Sequence, residues 1–251
     1  MSAVSHFSQD EVERYARHLV LSEIGGPGQQ KLARARILIV GAGGVGGPAA
    51  LYLAAAGAGA IGLVDADTVS LSNLQRQIQF ATADIGRSKV EASADRLTAI
   101  NPHVVVTAHA EMLSARTAAA LVAGYDIVLD GTDDFATRFA VNAACVAAGV
   151  PLVSGALGRW DGQVAVFEGR PCYQCLVPDA PPDAETCSRV GVIGALAGVI
   201  GSMAALEVVK RITGAGEPLT GRLLLYDGLH ATARTVKIAA DPRCPVCSQK
   251  A

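Results

Sequence analysis

Four of the six cysteines fall into two C-x-x-C pairs, Cys172 and Cys175 in CYQC and Cys244 and Cys247 in CPVC. Two such pairs suit a closed tetrahedral zinc site, and with 68 residues between them the ion would pin the tail of the chain to a loop in its second half. The competing use, a redox dithiol, lacks a thioredoxin-like context. A closed site offers no position to a substrate, so the zinc is expected to be structural. Cys145, in the helix-like stretch NAACVAAG, reads as a small buried hydrophobe.

A second chemistry-bearing stretch is RILIVGAGGVG at 36 to 46, an apolar run that flows into glycines. Gly41 would make the tight turn, and Gly43, beside Gly44, would let the backbone approach a phosphate. Gly46 would let a following helix pack on the strand, and the helix start would offer free N–H groups to an anion. Asp65, nineteen residues beyond Gly46, stands where a carboxylate accepts ribose hydroxyls. These residues point to an adenosine-containing ligand but do not specify hydride transfer, so an NAD-dependent oxidoreductase is one reading among several.

The elements that must position these groups follow from periodicity. Apolar strand-like runs at 36 to 40, 61 to 64, 104 to 107, 126 to 130 and 151 to 154 alternate with Ala-rich helical segments near 44 to 56, 86 to 99, 114 to 123 and 134 to 148. That alternation predicts an α/β, Rossmann-like fold: a mainly parallel sheet with helices on both faces. Before it, Ser8 and Glu11 form a capping-box pattern opening a helix over 9 to 20. After it, strand patterns at 163 to 168, 222 to 227 and 233 to 239 predict an antiparallel extension, and residues 168 to 189 read as an irregular loop.

Composition narrows the function classes. At 251 residues and 51% hydrophobic, one large core is expected. A net charge of -2, from 21 basic and 23 acidic residues without a basic block, argues against a nucleic-acid groove or an anionic membrane surface. The polar, acidic start lacks the features of a secretory signal, and a cytoplasmic location is expected. Residues 190 to 206 carry no charge, but their glycines and the following Glu207 and Lys210 favour a buried helix over a membrane span.

Six stretches in order, RYARH at 14 to 18, DADTVSLSNLQRQIQF after Val64, ADIGRSK, VLDGTDD at 128 to 134, CYQC and CPVC, resemble the ThiF/MoeB/HesA family of adenylating enzymes, relatives of the ubiquitin-activating enzymes. The resemblance covers nearly the whole chain. It implies ATP-dependent adenylylation of the C-terminal Gly-Gly carboxylate of a ubiquitin-like sulfur-carrier protein of ThiS or MoaD type, for thiamine thiazole or molybdopterin synthesis, with release of pyrophosphate. Implied cofactors are ATP, Mg²⁺ and structural zinc; implied partners are the carrier, a separate sulfur-donor protein and a second copy of the chain.

By the same resemblance, Arg76 and Lys89 contact phosphates, Asp67, Asn73 and Gln77 belong to the nucleotide contacts, and Asp133 holds magnesium. Asp134 stands where the family usually shows Asn, which leaves open which carboxylate faces the metal, and Asp130 reads as a structural loop acid. Arg17 would reach the neighbouring subunit's site as an arginine finger, making a homodimer obligatory. Cys187 matches a cysteine that bonds to the activated carrier in some branches, although an idle loop thiol is an equal reading and Arg189-Val190 departs from the family pattern. The sole tryptophan, Trp160, is either an anchor for the partner or a packed core residue. The expected organisation is one domain over 1 to 251, with a helical arm at 9 to 33, a nucleotide-binding core at 36 to 155, and a carrier-binding, zinc-pinned part at 156 to 251. The rivals are the oxidoreductase and a noncatalytic zinc-stabilised binding module.

Overall fold

A computed structural model describes residues 7–180 and 191–248. Cys187, Arg189 and Val190 lie outside the described residues. The sheet has eight strands in the order β3-β2-β1-β4-β5-β6-β7-β8. Strands β1 (Arg36–Val40), β2 (Ala60–Val64), β3 (Val105–His109), β4 (Ile127–Asp130) and β5 (Leu152–Leu157) are parallel. From β5 onward β6 (Asp161–Phe167), β7 (Arg222–Asp227) and β8 (Thr232–Lys237) pair antiparallel. The expected parallel core with an antiparallel extension is therefore present, with β1 and β7 at the expected bounds and the other strand ends displaced by at most three residues.

The unbroken apolar reading of β1 has a simple cause. Ile37 and Ile39 point into the larger core layer, while Leu38 and Val40 point into the opposite one. Both faces are covered, so every position after the exposed Arg36 is worth burying, at about 1.5–3 kcal/mol per large aliphatic side chain. One face receives α4 (Gly46–Ala55), α5 (Lys89–Ile100) and α9 (Gly194–Thr213); the other receives α6 (Ala115–Val122) and α7 (Phe135–Ala148). The apolar stretch expected at 190 to 206 is described as helix from Gly194 and ends at Gly214, whose φ of 83° supplies the left-handed stop. Among the described residues no helix is long and apolar enough to cross a membrane.

The arm begins as its cap predicts: Ser8 Oγ accepts from the Glu11 amide at 3.2 Å, and the Ser8 amide donates to Glu11 Oε2 at 2.8 Å. The expected single helix is broken at Tyr15 into α1 (Gln9–Arg14) and α2 (Ala16–Leu19), followed by α3 (Gly25–Arg34). Tyr15 causes the break by leaving the helix surface for the core. It is buried, its ring occupies the space over Gly57, and its hydroxyl accepts from Asn101 Nδ2 at 2.9 Å. Arg14 donates to the Ile100 carbonyl at 2.9 Å, so the arm is fastened at two adjacent points.

Candidate active site

Strand β1 lies between β2, which precedes the outward half of the sheet, and β4, which begins the return half; this is the point where strand order reverses. Loops leaving adjacent strands diverge there and open a crevice beyond the carboxyl ends. A cleft of about 510 Å³ occupies that position, and it brings together Gly41, Gly43, Gly44, Asp65, Asp67, Asn73, Arg76, Gln77, Lys89 and Asp133. Gly46, Arg17 and the four paired cysteines are not on its wall.

The glycine turn does what its spacing suggests. Gly41 has φ +88°, and a side chain on Gly46 would stand 1.9 Å from the Gly41 carbonyl oxygen, so helix and strand meet only because that side chain is missing. Gly43 differs: a Cβ there would meet nothing nearer than Gln77 Nε2 at 3.6 Å. Protein packing does not demand glycine at 43, and the open space faces the cleft, as close approach of a ligand requires.

Asp65 is fixed by two backbone amides, Ala42 to Oδ2 and Asp67 to Oδ1, both at 2.9 Å. Its carboxylate thereby ties the end of β2 to the glycine turn and keeps its remaining lone pairs for a ligand. Lys89 opens α5 and is almost enclosed, with 7% of its side chain exposed; its ammonium donates to Asp67 Oδ2 at 2.7 Å. Arg76 also lines the cleft, with Nη1 donating to the Ser72 carbonyl at 3.1 Å. Gln77 is buried, and its Oε1 has no hydrogen-bond partner among the described residues.

The two neighbouring acids have different employment. Asp134 caps α7: its Oδ2 accepts from the Thr137 amide and hydroxyl, each at 2.7 Å. The Thr137 hydroxyl, foremost, holds the Asp134 carboxyl below the usual carboxylate range. Asp133 is exposed in the cleft, and no described residue donates to its carboxylate. Asp130, read from sequence as a structural acid, is buried at the end of β4, and its burial pushes its pKa up despite Arg138 nearby.

Three residues of this region were not singled out in the sequence. Arg138 is buried on α7 and donates to the Ser154 hydroxyl, the Gly155 carbonyl and the Thr132 carbonyl. Gln79, also buried, donates through Nε2 to the carbonyls of Ala42 and Gly43 at 2.9 and 3.4 Å, supporting the glycine turn from behind. Tyr173, on α8 (Tyr173–Leu176), lines the cleft and lies under the Arg138 guanidinium, 5.8 Å from centroid to Cζ.

Beside Tyr173 the four paired cysteines converge, their sulfur atoms all within 4.8 Å of one another. Cys172 and Cys244 are 3.6 Å apart and Cys175 and Cys247 3.4 Å, far beyond an S–S bond. A tetrahedral ion with metal–sulfur bonds of about 2.3 Å sets sulfur separations of about 3.8 Å, so the donor set fits such an ion. Asn142 Nδ2 donates to Cys172 Sγ at 3.6 Å and the Asp241 amide to Cys175 Sγ at 3.4 Å, contacts that stabilise thiolates. Cys145 is buried in the core and its thiol is pushed up to about 12, chiefly by burial, which makes it the inert hydrophobe expected. Trp160 is 44% exposed between β5 and β6, which excludes the packed-core reading.

Comparison with known proteins places this arrangement. A model of the ThiF family matches residues 15–246. The chain is 44% identical to the sulfur carrier protein adenylyltransferase of Thermus thermophilus, covering 97% of this chain and 93% of that one. It is 45% identical to the molybdopterin-synthase adenylyltransferase of Escherichia coli K12, covering 98% of this chain and 100% of that one. It is also 47% identical to the probable adenylyltransferase/sulfurtransferase MoeZ of Mycobacterium tuberculosis, of which it spans 64%. Among solved structures, E. coli MccB with ATP superposes with a TM-score of 0.82 at 25% identity, over 94% of this chain and 74% of that one. With two relatives matched along nearly the full length of both chains and a family description reaching from Tyr15 to Val246, the chain belongs to the ThiF family.

Proposed function

We propose that the protein is an adenylyltransferase that joins the C-terminal glycine carboxylate of a ubiquitin-like sulfur-carrier protein, of ThiS or MoaD type, to AMP from ATP. The observation that carries this reading is the meeting of Arg76, Lys89 and an unpartnered Asp133 around a glycine turn at the sheet's switch point. The adenylyltransferase names of the two full-length relatives support the enzyme class and the carrier as partner. An oxidoreductase has no use for this phosphate-facing set.

The chemistry needs little covalent help from the protein. A carrier's α-carboxyl, with a reference pKa of about 3.5, is ionised at neutral pH and requires no general base. One carboxylate oxygen bonds to the α-phosphorus while the bond from that phosphorus to the bridging oxygen breaks, and pyrophosphate departs with the bond's electron pair. The obstacle is repulsion between two anions, and fixed positive groups with in-line positioning remove it. In this reading Arg76 and Lys89 hold phosphate oxygens, the Gly43 and Gly44 backbone lies against them, and Asp65 accepts from the ribose.

The cleft's cations are Arg76, Lys89 and Arg138, against Asp65, Asp67, Glu111, Asp133 and Asp134. Five acids facing three bases cannot by themselves neutralise a triphosphate, which motivates a divalent cation. Asp133 fits as its protein ligand, a free hard oxygen, whereas Asp134 is committed to its cap. Held by Asp133, Mg²⁺ would supply positive charge to offset that of the phosphates. Zinc fits the four-cysteine cluster and would fasten residues 244–247 to 172–175 without contacting substrate.

Arg17 is exposed, with no partner among the described residues, two positions beyond the buried Tyr15 anchor. That placement supports its use in a second subunit's cleft, and hence a homodimer. The expected cytoplasmic setting suits four reduced thiols. Cys187 is a further site to test, by intact mass, for a bond to the carrier during sulfur transfer. Incubation with Mg-ATP and ThiS-type or MoaD-type carriers tests the whole reading: pyrophosphate release and a carrier-AMP mass are expected with one of them. Binding of NAD without either product would favour the oxidoreductase.

A further inference from the structure

We propose that Arg138 is a positioning residue of the reaction: from the floor of the cleft it sets the 131–134 turn and thereby the place of Asp133. The inference rests on the adenylylation reading, since it gives Asp133 its task, but its geometry stands apart from it.

Thr132 is held at each of its polar atoms. Its amide donates to Asp130 Oδ1 at 3.0 Å, its carbonyl accepts from Arg138 Nη2, and its hydroxyl accepts from the Asp134 amide at 3.3 Å. That carbonyl belongs to the peptide unit joining Thr132 to Asp133. Because the unit is planar, fixing its oxygen fixes the direction in which the Asp133 backbone leaves. Asp134 is fastened in turn to Thr137. In this run of pinned groups the Asp133 carboxylate alone has been left without a protein donor.

Arg138 can do this because it is itself over-determined. Its other donors reach the Ser154 hydroxyl at 3.1 Å and the Gly155 carbonyl at 3.0 Å, both on β5, and Tyr173 covers its face. Its charge is answered by Asp130, 3.5 Å away and as deeply buried. A guanidinium has a planar fork of donors suited to bridging a turn to a strand; an ammonium cannot span the same oxygens. One buried side chain therefore links β4, β5, α7 and the turn between them. A residue serving stability alone would not need to hold the one carbonyl that precedes the free acid.

The test is Arg138→Met combined with Asp130→Asn, which removes the pair without stranding a buried charge and keeps an acceptor for the Thr132 amide. Mg-ATP binding is followed by calorimetry and turnover by pyrophosphate release with the carrier. Mg-ATP is expected to bind at least about tenfold more weakly and kcat to fall by about 10- to 100-fold, the loss usual when a support behind a metal-binding group is removed. The KM for carrier should stay within about twofold, and Arg138→Lys should recover only part of the loss. A folded double variant that binds Mg-ATP as tightly as the parent protein and keeps its kcat overturns the proposal. If the double variant does not fold, Arg138→Lys decides by the same two measurements. If the parent protein binds Mg-ATP but makes no carrier-AMP, the functional reading fails instead, and the binding arm alone still decides the role of Arg138.

Discussion

Lys89 Nζ lies 2.7 Å from Asp67 Oδ2, and the two side chains are unequal partners: 7% of the lysine is exposed against 68% of the aspartate. The enclosed ammonium is aimed by a carboxylate that water can reach. Screening makes the pair worth little to stability, so its value is in direction. Lys89→Met should lower kcat by about 100- to 1000-fold, as expected for loss of a preorganised group at a developing charge. Asp67→Asn, which keeps the reach but not the charge, should cost about tenfold. Pyrophosphate release at saturating carrier measures both, and equal effects from the two changes would show that Lys89 does not act on phosphate.

Asp133 and Asp134 should separate cleanly. Asp134→Ala removes a helix cap and should cost about 1 kcal/mol of stability, read from denaturant unfolding. The Asp134 carboxyl is held low in the folded state. Its contribution is therefore present above its unfolded pKa of about 3.9 and lost as the pH falls through the lower folded value. In Asp134→Asn that acid-limb dependence should vanish while most of the cap remains. Asp133→Asn should leave stability unchanged and weaken Mg-ATP binding. The reverse pattern would exchange their roles.

Why these differences were not all readable from sequence is clear at particular residues. The six-motif order points to Arg76, Lys89 and Asp133 because each stands at a fixed spacing from a strand end, in a turn or, for Lys89, at a helix start. Arg138 stands four residues after Asp134, the spacing of an exposed ion pair on a helix, and nothing local says that it turns inward to β5. Gln79 is hidden for a similar reason: its partners, Ala42 and Gly43, are more than thirty residues away. The break at Tyr15 depends on a pocket made by Gly57 and Asn101. Strand identities follow from local pattern, but contacts between distant segments do not.

The four-cysteine cluster predicts one zinc per chain by elemental analysis. Stripping it with a strong chelator should lower the melting temperature, because the ion closes a link between segments about 70 residues apart. Tyr173 follows Cys172 directly and lines the cleft, so ATP affinity should also fall on stripping. Zinc-free protein with unchanged melting and ATP binding would make the cluster incidental.

If Arg17 serves the neighbouring subunit, Arg17→Ala should be nearly inactive alone, by as much as about 10³-fold. Mixed with Lys89→Met protein, it should recover activity, since one of the two clefts in a mixed dimer then has both cations. No recovery in a mixture shown by mass to contain mixed dimers would return Arg17 to an ordinary surface charge.

Charge governs the proposed reaction: Arg76 and Lys89, both lining the cleft, quench enough of a triphosphate for an anionic chain end to reach it. Carrier-AMP formation by an Arg76→Ala, Lys89→Ala double variant, under conditions where the parent protein converts its carrier, measures this directly. A folded variant that forms no detectable carrier-AMP is the predicted result, and formation at the parent rate would contradict the account.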